Sequence, residues 1–263
     1  MANRRVLVKR RKAVRNIRKI TRTMQLIATA RFQATFNRAV ATRPYSQKLG
    51  ELVADLARAS GDVDHPLMRK NPNAPKTALL VISSNRGLCG GYNSNVLRKS
   101  VAHIDAQAKP VDVHMVGKKG VGYFRFLGRP LAERITHLAD DVRYAEIEPL
   151  ANALMEQFIK GEIGAVYVAY MAFESASRQV PTLLQLLPLA PPPTAKPDGS
   201  AAGITSKDSA AKGVEYEFSP EPEKLLAELL PASVRMRLFQ CFVEAVVSEQ
   251  VARMVAMLSL IHI

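Results

Sequence analysis

Apolar residues recur at three- and four-residue steps near both ends of this chain and fall into short unbroken runs between them. Val14, Ile17, Ile20, Met24 and Ile27 mark the first series, and Tyr45, Leu49, Leu52 and Leu56 resume it. That is a narrow stripe of coiled-coil type, not the wider face of a core helix. Glycine is absent before Gly50, and Ala, Arg, Gln and Lys fill the remaining faces, so residues 1–60 are predicted as one long helix. From Arg4 to Arg58 it would run roughly 80 Å, too long to stay within one small domain. Pro44 is expected to kink it, because proline removes a backbone donor and crowds the preceding turn. Residues 219–263 carry a second stripe at Leu229, Phe239, Val243, Val246, Val247, Val251 and Met254. Ser219 is its candidate N-cap with Pro220 at the first helical position, and Pro231 is expected to bend or break it. Two such helices cover each other's stripes as an antiparallel coiled coil, which neither does alone.

Between them, residues 77–189 alternate in pattern. Ala78-Leu79-Leu80-Val81-Ile82 is a continuous apolar run suited to a buried parallel strand. A helix is predicted from Asn93 to Ala106, a strand from Val111 to Val116, a short helix from Lys118 to Phe126 and a short strand around Ile135. A helix from Ala145 to Lys160, a strand from Ala165 to Met171 and an apolar edge from Val180 to Leu189 complete the series. Alternating strands and helices predict a small α/β layer with a mostly parallel sheet. Residues 190–218 lose the pattern: Pro191-Pro192-Pro193, Lys196-Pro197-Asp198-Gly199 and many Ala and Ser predict a flexible surface loop.

Charge changes the picture of the first helix. The formal net charge is +14, and fourteen of the 37 Lys and Arg lie at or before Lys48, with no Asp or Glu before Glu51. The remaining 23 basic residues are matched by 23 acidic ones, so the whole excess sits in one arm. Nucleic-acid binding would use these cations against phosphates, but an apolar stripe runs through them and only Phe32 and Phe36 offer stacking surfaces. A membrane-surface helix would want Trp and a bulky face, and the chain has no Trp. A partner-facing coiled-coil strand accounts for stripe, length and charge together. An Arg-rich, acid-free start resembles a transit peptide, but this one is long, poor in Ser and continuous with patterned sequence, so it is read as mature protein. No run is apolar enough for a membrane span. Cys89 and Cys241 are expected to be reduced, in a cytosolic compartment, and no metal spacing involves the five His.

The turn Gly87-Leu88-Cys89-Gly90-Gly91 follows a strand and precedes a helix, which invites a phosphate-loop reading. No Gly-Lys-Ser/Thr follows and the dinucleotide spacing is not met, so a tight strand-to-helix turn is the stronger reading. Cys89 is expected as a small buried residue rather than a reactive thiolate.

Six blocks together resemble one family. Ile17-Arg18-Lys19-Ile20-Thr21-Arg22-Thr23-Met24-Gln25-Leu26-Ile27-Ala28 is similar to the N-terminal signature of the gamma subunits of rotary ATP synthases. Arg43-Pro44-Tyr45, Ser84-Asn85-Arg86-Gly87-Leu88-Cys89-Gly90-Gly91-Tyr92-Asn93, Val116-Gly117-Lys118-Lys119-Gly120-Val121 and Gln179-Val180-Pro181-Thr182 follow in the family's order. Ser248-Glu249-Gln250-Val251-Ala252-Arg253-Met254-Val255-Ala256-Met257 is similar to its C-terminal signature, with Val251 where Ala is usual. The resemblance implies an antiparallel coiled coil of the terminal helices plus a small Rossmann-like α/β domain. It implies a non-catalytic rotor, without cofactor or metal, coupling proton flow to ATP synthesis or hydrolysis. The implied partners are the alpha and beta subunits of the catalytic hexamer, the epsilon subunit and the ring of c subunits. Nucleic acid is not among them, and the membrane is met only through the complex, at the cytoplasmic face of a bacterial inner membrane. By the same carry-over, Arg18, Lys19, Arg22, Met24 and Gln25, with Gln250 and Arg253, face the hexamer, while Tyr216 and Phe218 belong to the foot near the c-ring. The glycine turn binds no nucleotide in that family.

The family's chain continues past the Ser-Glu-Gln block as a helix, whereas Leu258-Ser259-Leu260-Ile261-His262-Ile263 departs from its pattern. The hexapeptide is what one frame of a transposase adapter encodes, so a truncated gene fragment is expected. Two readings from other classes stand beside the rotor. A basic RNA-binding protein would show steep salt-dependent RNA affinity. An enzyme acting at the glycine turn would bind nucleotides there.

Overall fold

The computed structural model describes residues 4–59, 65–138, 142–189 and 222–262. In chain order the elements are α1 (Arg4–Ala59), β1 (Lys76–Ile82), α2 (Tyr92–Ala106), β2 (Val111–Val116), α3 (Lys118–Phe126), β3 (Glu133–Ile135), α4 (Tyr144–Ile159), β4 (Ile163–Phe173), β5 (Gln179–Leu187) and α5 (Pro222–His262). The predicted loop at 190–218 lies outside the described residues, as do Ser219 and Pro220.

One five-stranded sheet has the order β3-β2-β1-β4-β5. β1 pairs in parallel with β2 and β4, β2 with β3, and β5 closes the edge antiparallel to β4. The central strand explains its own composition: Ala78, Leu79, Leu80 and Val81 are each 0% exposed. A strand covered on both faces has no use for alternation. One face, with Leu80, Ile82, Val166 and Val168, joins a core with Ile147, Leu154 and Phe158 of α4 and Val234, Leu238 and Phe242 of α5. The other, with Leu79, Val81, Val113 and Met115, is covered by Val96 and Leu97 of α2 and Phe124 of α3.

α1 holds 56 residues and at 1.5 Å per residue spans about 84 Å. It runs without interruption through Pro44, and α5 runs through Pro231, so neither proline breaks its helix. The two helices are antiparallel. Ile261 sits beside Arg18, Lys19 and Arg22, and Gln250 and Arg253 lie beside Met24, Ala28 and Arg31. Leu56 shares a core with Leu226 and Leu230.

The contact stripe of α1 matches the expected one only in part: Leu49 and Leu56 are buried and Met24 is half-buried. Val14, Ile17, Ile20 and Ile27 are at least half exposed. One line of buried or half-buried positions is Thr21, Gln25, Ala28, Phe32, Thr35, Ala39, Thr42, Ser46, Leu49, Val53 and Leu56, with half-buried Met24, Arg31 and Phe36 flanking it. The spacing along that line alternates strictly between four and three, which is the heptad repeat of a coiled coil. Its residues are small or polar over most of its length, so it does not stand out as an apolar pattern. Three of its hydroxyls donate back to carbonyls one turn earlier: Thr21 to Ile17, Thr35 to Arg31 and Thr42 to Arg38. These three hydroxyls are thereby satisfied within the helix, and small side chains let α5 approach. α5 is likewise more than a stripe. Phe239, Cys241, Phe242, Val243, Ala245, Val247 and Val251 are all buried, as befits a helix packed against the sheet, α4 and α1 at once.

Gly117, between β2 and α3, has φ 91°, and a Cβ there would stand 2.2 Å from the Ser83 carbonyl oxygen. Gly117→Ala is therefore expected to destabilise the chain by more than about 2 kcal/mol in urea unfolding. Gly122→Ala, inside α3 with nothing within 4 Å of the added methyl, is expected to stabilise it by about 0.5 kcal/mol or more.

Candidate functional site

The parallel strands end on the side of the sheet from which the glycine turn meets the two long helices. β1 gives way to Ser84–Gly91, and this turn is fastened by side chains. The Ser84 amide donates to Asn93 Oδ1 at 3.0 Å, and Ser84 Oγ donates to the Arg86 carbonyl at 2.6 Å. Asn85 Nδ2 donates to the Leu138 carbonyl at 2.8 Å, and its Oδ1 accepts from the Lys118 amide. Leu88 and Gly90 have φ of 62° and 55°, which lets the turn fold tightly. A Cβ on Gly90 would lie 3.7 Å from the Ala252 carbonyl oxygen of α5. The Tyr92 amide, at the start of α2, donates to the Cys89 carbonyl, so this donor is used within the turn rather than aimed at a ligand.

Cys89 is buried and receives a hydrogen bond from Asn93 Nδ2 at 3.2 Å. Burial pushes its thiol above the usual range, against smaller opposing effects of Ser84 and Arg253, so the protonated, unreactive form prevails at neutral pH. Cys241, free and fully enclosed in the other core, is pushed up to about 12 by burial first and by the Glu244 carboxylate second.

Three segments remote in sequence enclose a cavity of 220 Å³. Met24, Ile27, Ala28 and Arg31 come from α1, Arg86, Gly87 and Leu88 from the glycine turn, and Gln250 and Arg253 from α5. Arg253, one of the lining residues, is held in a buried ion pair with Glu249 one helical turn back. Arg253 Nη2 donates to Glu249 Oε1 at 2.5 Å, both side chains are 8% exposed, and Arg253 Nη1 donates to Gln250 Oε1 at 3.1 Å. Two buried amide atoms, Gln25 Oε1 and Gln250 Nε2, have no hydrogen-bond partner among the described residues.

The predicted residues thus fall into two groups. Met24, Gln250 and Arg253 meet at the cavity, and Gln25 lies in the helix contact beside it. Arg18, Lys19 and Arg22 are exposed and lie farther along α1, where with Lys12 and Arg15 they bring five cations to an open groove of 870 Å³ closed on one side by Ile261. Tyr216 and Phe218 lie outside the described residues. Glu249, Arg31, Arg86 and Leu88 were not singled out from the sequence. The Glu249–Arg253 spacing of four is the one signal that points to a pair. Among the described residues no group of three or more His, Cys, Asp or Glu is placed to hold a metal, and no helix is long and apolar enough to cross a membrane.

A two-helix shaft mounted on an α/β foot, with its charged surface on the shaft, is the form of a central-stalk protein. A family model described as ATP synthase matches residues 3–259. The gamma chain of Rhodopirellula baltica ATP synthase is 42% identical over 260 residues, covering 98% of this chain and 86% of its own length. That of Dehalococcoides mccartyi strain CBDB1 is 38% identical over 259 residues with the same coverage. The fold matches the central stalk/c-ring structure of Tetrahymena thermophila mitochondrial ATP synthase at TM-score 0.62 and 22% identity, covering 91% of this chain and 98% of that one. A rotor chain of the Euglena gracilis mitochondrial enzyme matches at TM-score 0.62 and 15% identity, covering 98% and 90%. The chain belongs to the ATP synthase gamma chain family, and it is a rotor subunit of that enzyme. Nothing in these comparisons supports the RNA-binding alternative.

Removing one partner of a buried pair leaves the other charge uncompensated. Glu249→Gln is expected to cost about 3–5 kcal/mol in equilibrium unfolding, while the double change Glu249→Leu, Arg253→Met is expected to recover most of that loss.

Proposed function

We propose that this chain is the non-catalytic axle of the enzyme. In this reading α1 and α5 stand inside the hexamer of alpha and beta subunits, and the α/β domain rests on epsilon and the c-ring. Proton flow through the membrane sector turns the foot, and the shaft carries that turn to the catalytic sites. The complex is peripheral to the membrane, at the cytoplasmic face.

The observation that carries this reading is the one-sidedness of the shaft. On one flank the glycine turn, α1 and α5 close around Arg31, Arg86 and Arg253. Farther along, five cations ring the groove beside Ile261. A shaft with unequal flanks presents a different surface to each catalytic subunit at each angle. Unequal contact free energy shifts their open and closed populations, and nearly complete switching of one site needs roughly 5.5 kcal/mol. Arg18, Lys19, Arg22, Met24 and Gln25 are the residues assigned to that contact, with Gln250 and Arg253, at 1% and 6% exposure, supporting it from within the chain, and Tyr216 and Phe218 are assigned to the foot. Cations on an exposed helix meeting acidic loops act at a range set by ionic strength.

The triple change Arg18→Glu, Lys19→Glu, Arg22→Glu is expected to leave the folded chain intact, because these side chains are exposed. It is expected to weaken association with the alpha and beta hexamer at 0.05 M salt by about tenfold or more, with the difference shrinking at 0.5 M. Unchanged association of the triple variant at low salt would refute the contact assignment.

A further inference from the structure

Three aromatic rings join the foot to the shaft. Phe32 and Phe36, one turn apart on α1, have ring centroids 5.5 Å from each other. Phe173, the last residue of β4, stands 6.2 Å from Phe32 and 5.8 Å from Phe36, edge-on to the latter. These separations are those of favourable aromatic pairs. Two residues earlier on the same strand, the Met171 carbonyl accepts a hydrogen bond from the buried Ser248 hydroxyl of α5 at 3.1 Å. The end of one strand is therefore tied to both helices of the shaft, to α1 by rings and to α5 by a hydrogen bond.

The position of this tie matters. β4 is not a loop: it pairs with β1 on one side and β5 on the other, through Phe173 opposite Gln179. A movement of the sheet therefore arrives at Phe173 with little slack. On the α1 side the rings occupy the heptad position of Phe32 and its neighbour Phe36, where most of the adjoining seam is Ala and Thr. Bulk is thus placed at the level where the end of β4 meets the helix.

We propose that Phe32, Phe36 and Phe173 form a positioning joint that fixes the angle between foot and shaft, with Ser248 as its second anchor. This rests on the rotor reading above. The joint acts by resisting torsion; none of its members touches a nucleotide.

The test uses the assembled enzyme with its hexamer immobilised and an optical probe on the foot, read without nucleotide for angular variance and then with ATP for rotation. Phe173 carries both ring contacts that cross between elements, so Phe173→Ala is expected to raise the angular variance by roughly twofold or more, with the ATP hydrolysis rate kept. Phe32→Ala and Phe36→Ala each leave one crossing contact and should raise it less, while the double variant should match Phe173→Ala, as members of one unit do. Phe173→Leu, which keeps apolar bulk, should restore part of the stiffness. Should Phe173→Ala fail to assemble, the two α1 variants, at half-buried positions, carry the same comparison. A lowered Tm with unchanged variance in all of them would overturn the joint and leave ordinary packing. Rotation of the unaltered enzyme on ATP, seen in the same preparation, keeps that outcome distinct from a failure of the rotor reading.

Discussion

Close approach of α5 to a seam of small and hydroxyl-bearing residues on α1 is the constraint from which the rest follows. A coiled coil needs its contact residues every three and four positions, and α1 supplies Thr21, Gln25, Ala28, Phe32, Thr35, Ala39, Thr42 and Ser46 at that spacing. Little hydrophobic free energy comes from such residues. The pairing holds because α5 is simultaneously a core helix, with Val234, Leu238, Phe242 and Ala245 at 1% exposure or less against the sheet and α4. The domain fixes α5, and α5 fixes α1. A lone helix of α1's composition would gain little from burying this stripe.

That dependence ties the foot to the shaft. The glycine turn packs against Ala252 and borders the cavity shared with Met24 and Arg253, and the end of β4 reaches both helices. Each of these contacts lies at the same end of the parallel strands. The foot therefore grips the shaft along one stretch, and α1 from Arg4 to Ile20 extends beyond with every residue exposed. A grip on one side leaves the flanks of the shaft unequal.

Much of the sheet was legible because buried strands declare themselves: Ala78–Ile82 is unbroken and apolar, and it is the central strand. α2 and α4 each begin one residue before their predicted starts, at Tyr92 and Tyr144, and β4 reaches two residues beyond Ala165–Met171 at either end. Of the α1 seam, hydrophobicity made legible only the end at Leu49 and Leu56. Val14, Ile17 and Ile20 carry the apolar pattern and face outward, while Thr21, Thr35 and Thr42 face inward with their hydroxyls returned to the backbone. Prolines 44 and 231 do not end their helices, each of which continues past one lost backbone bond. At the site, the resemblance to gamma subunits pointed to Gln250 and Arg253. The carboxylate that holds Arg253 and the turn that faces it emerge only when α1, α5 and the strand ends are brought together.

The central claim is mechanical, and watching the foot move tests it directly. With the alpha and beta hexamer fixed to a surface and a marker attached to the α/β domain of this chain, ATP should drive the marker round in one direction, in steps. A hexamer that hydrolyses ATP at full rate around this chain while the marker stays still, or wanders with no preferred direction, would contradict the account.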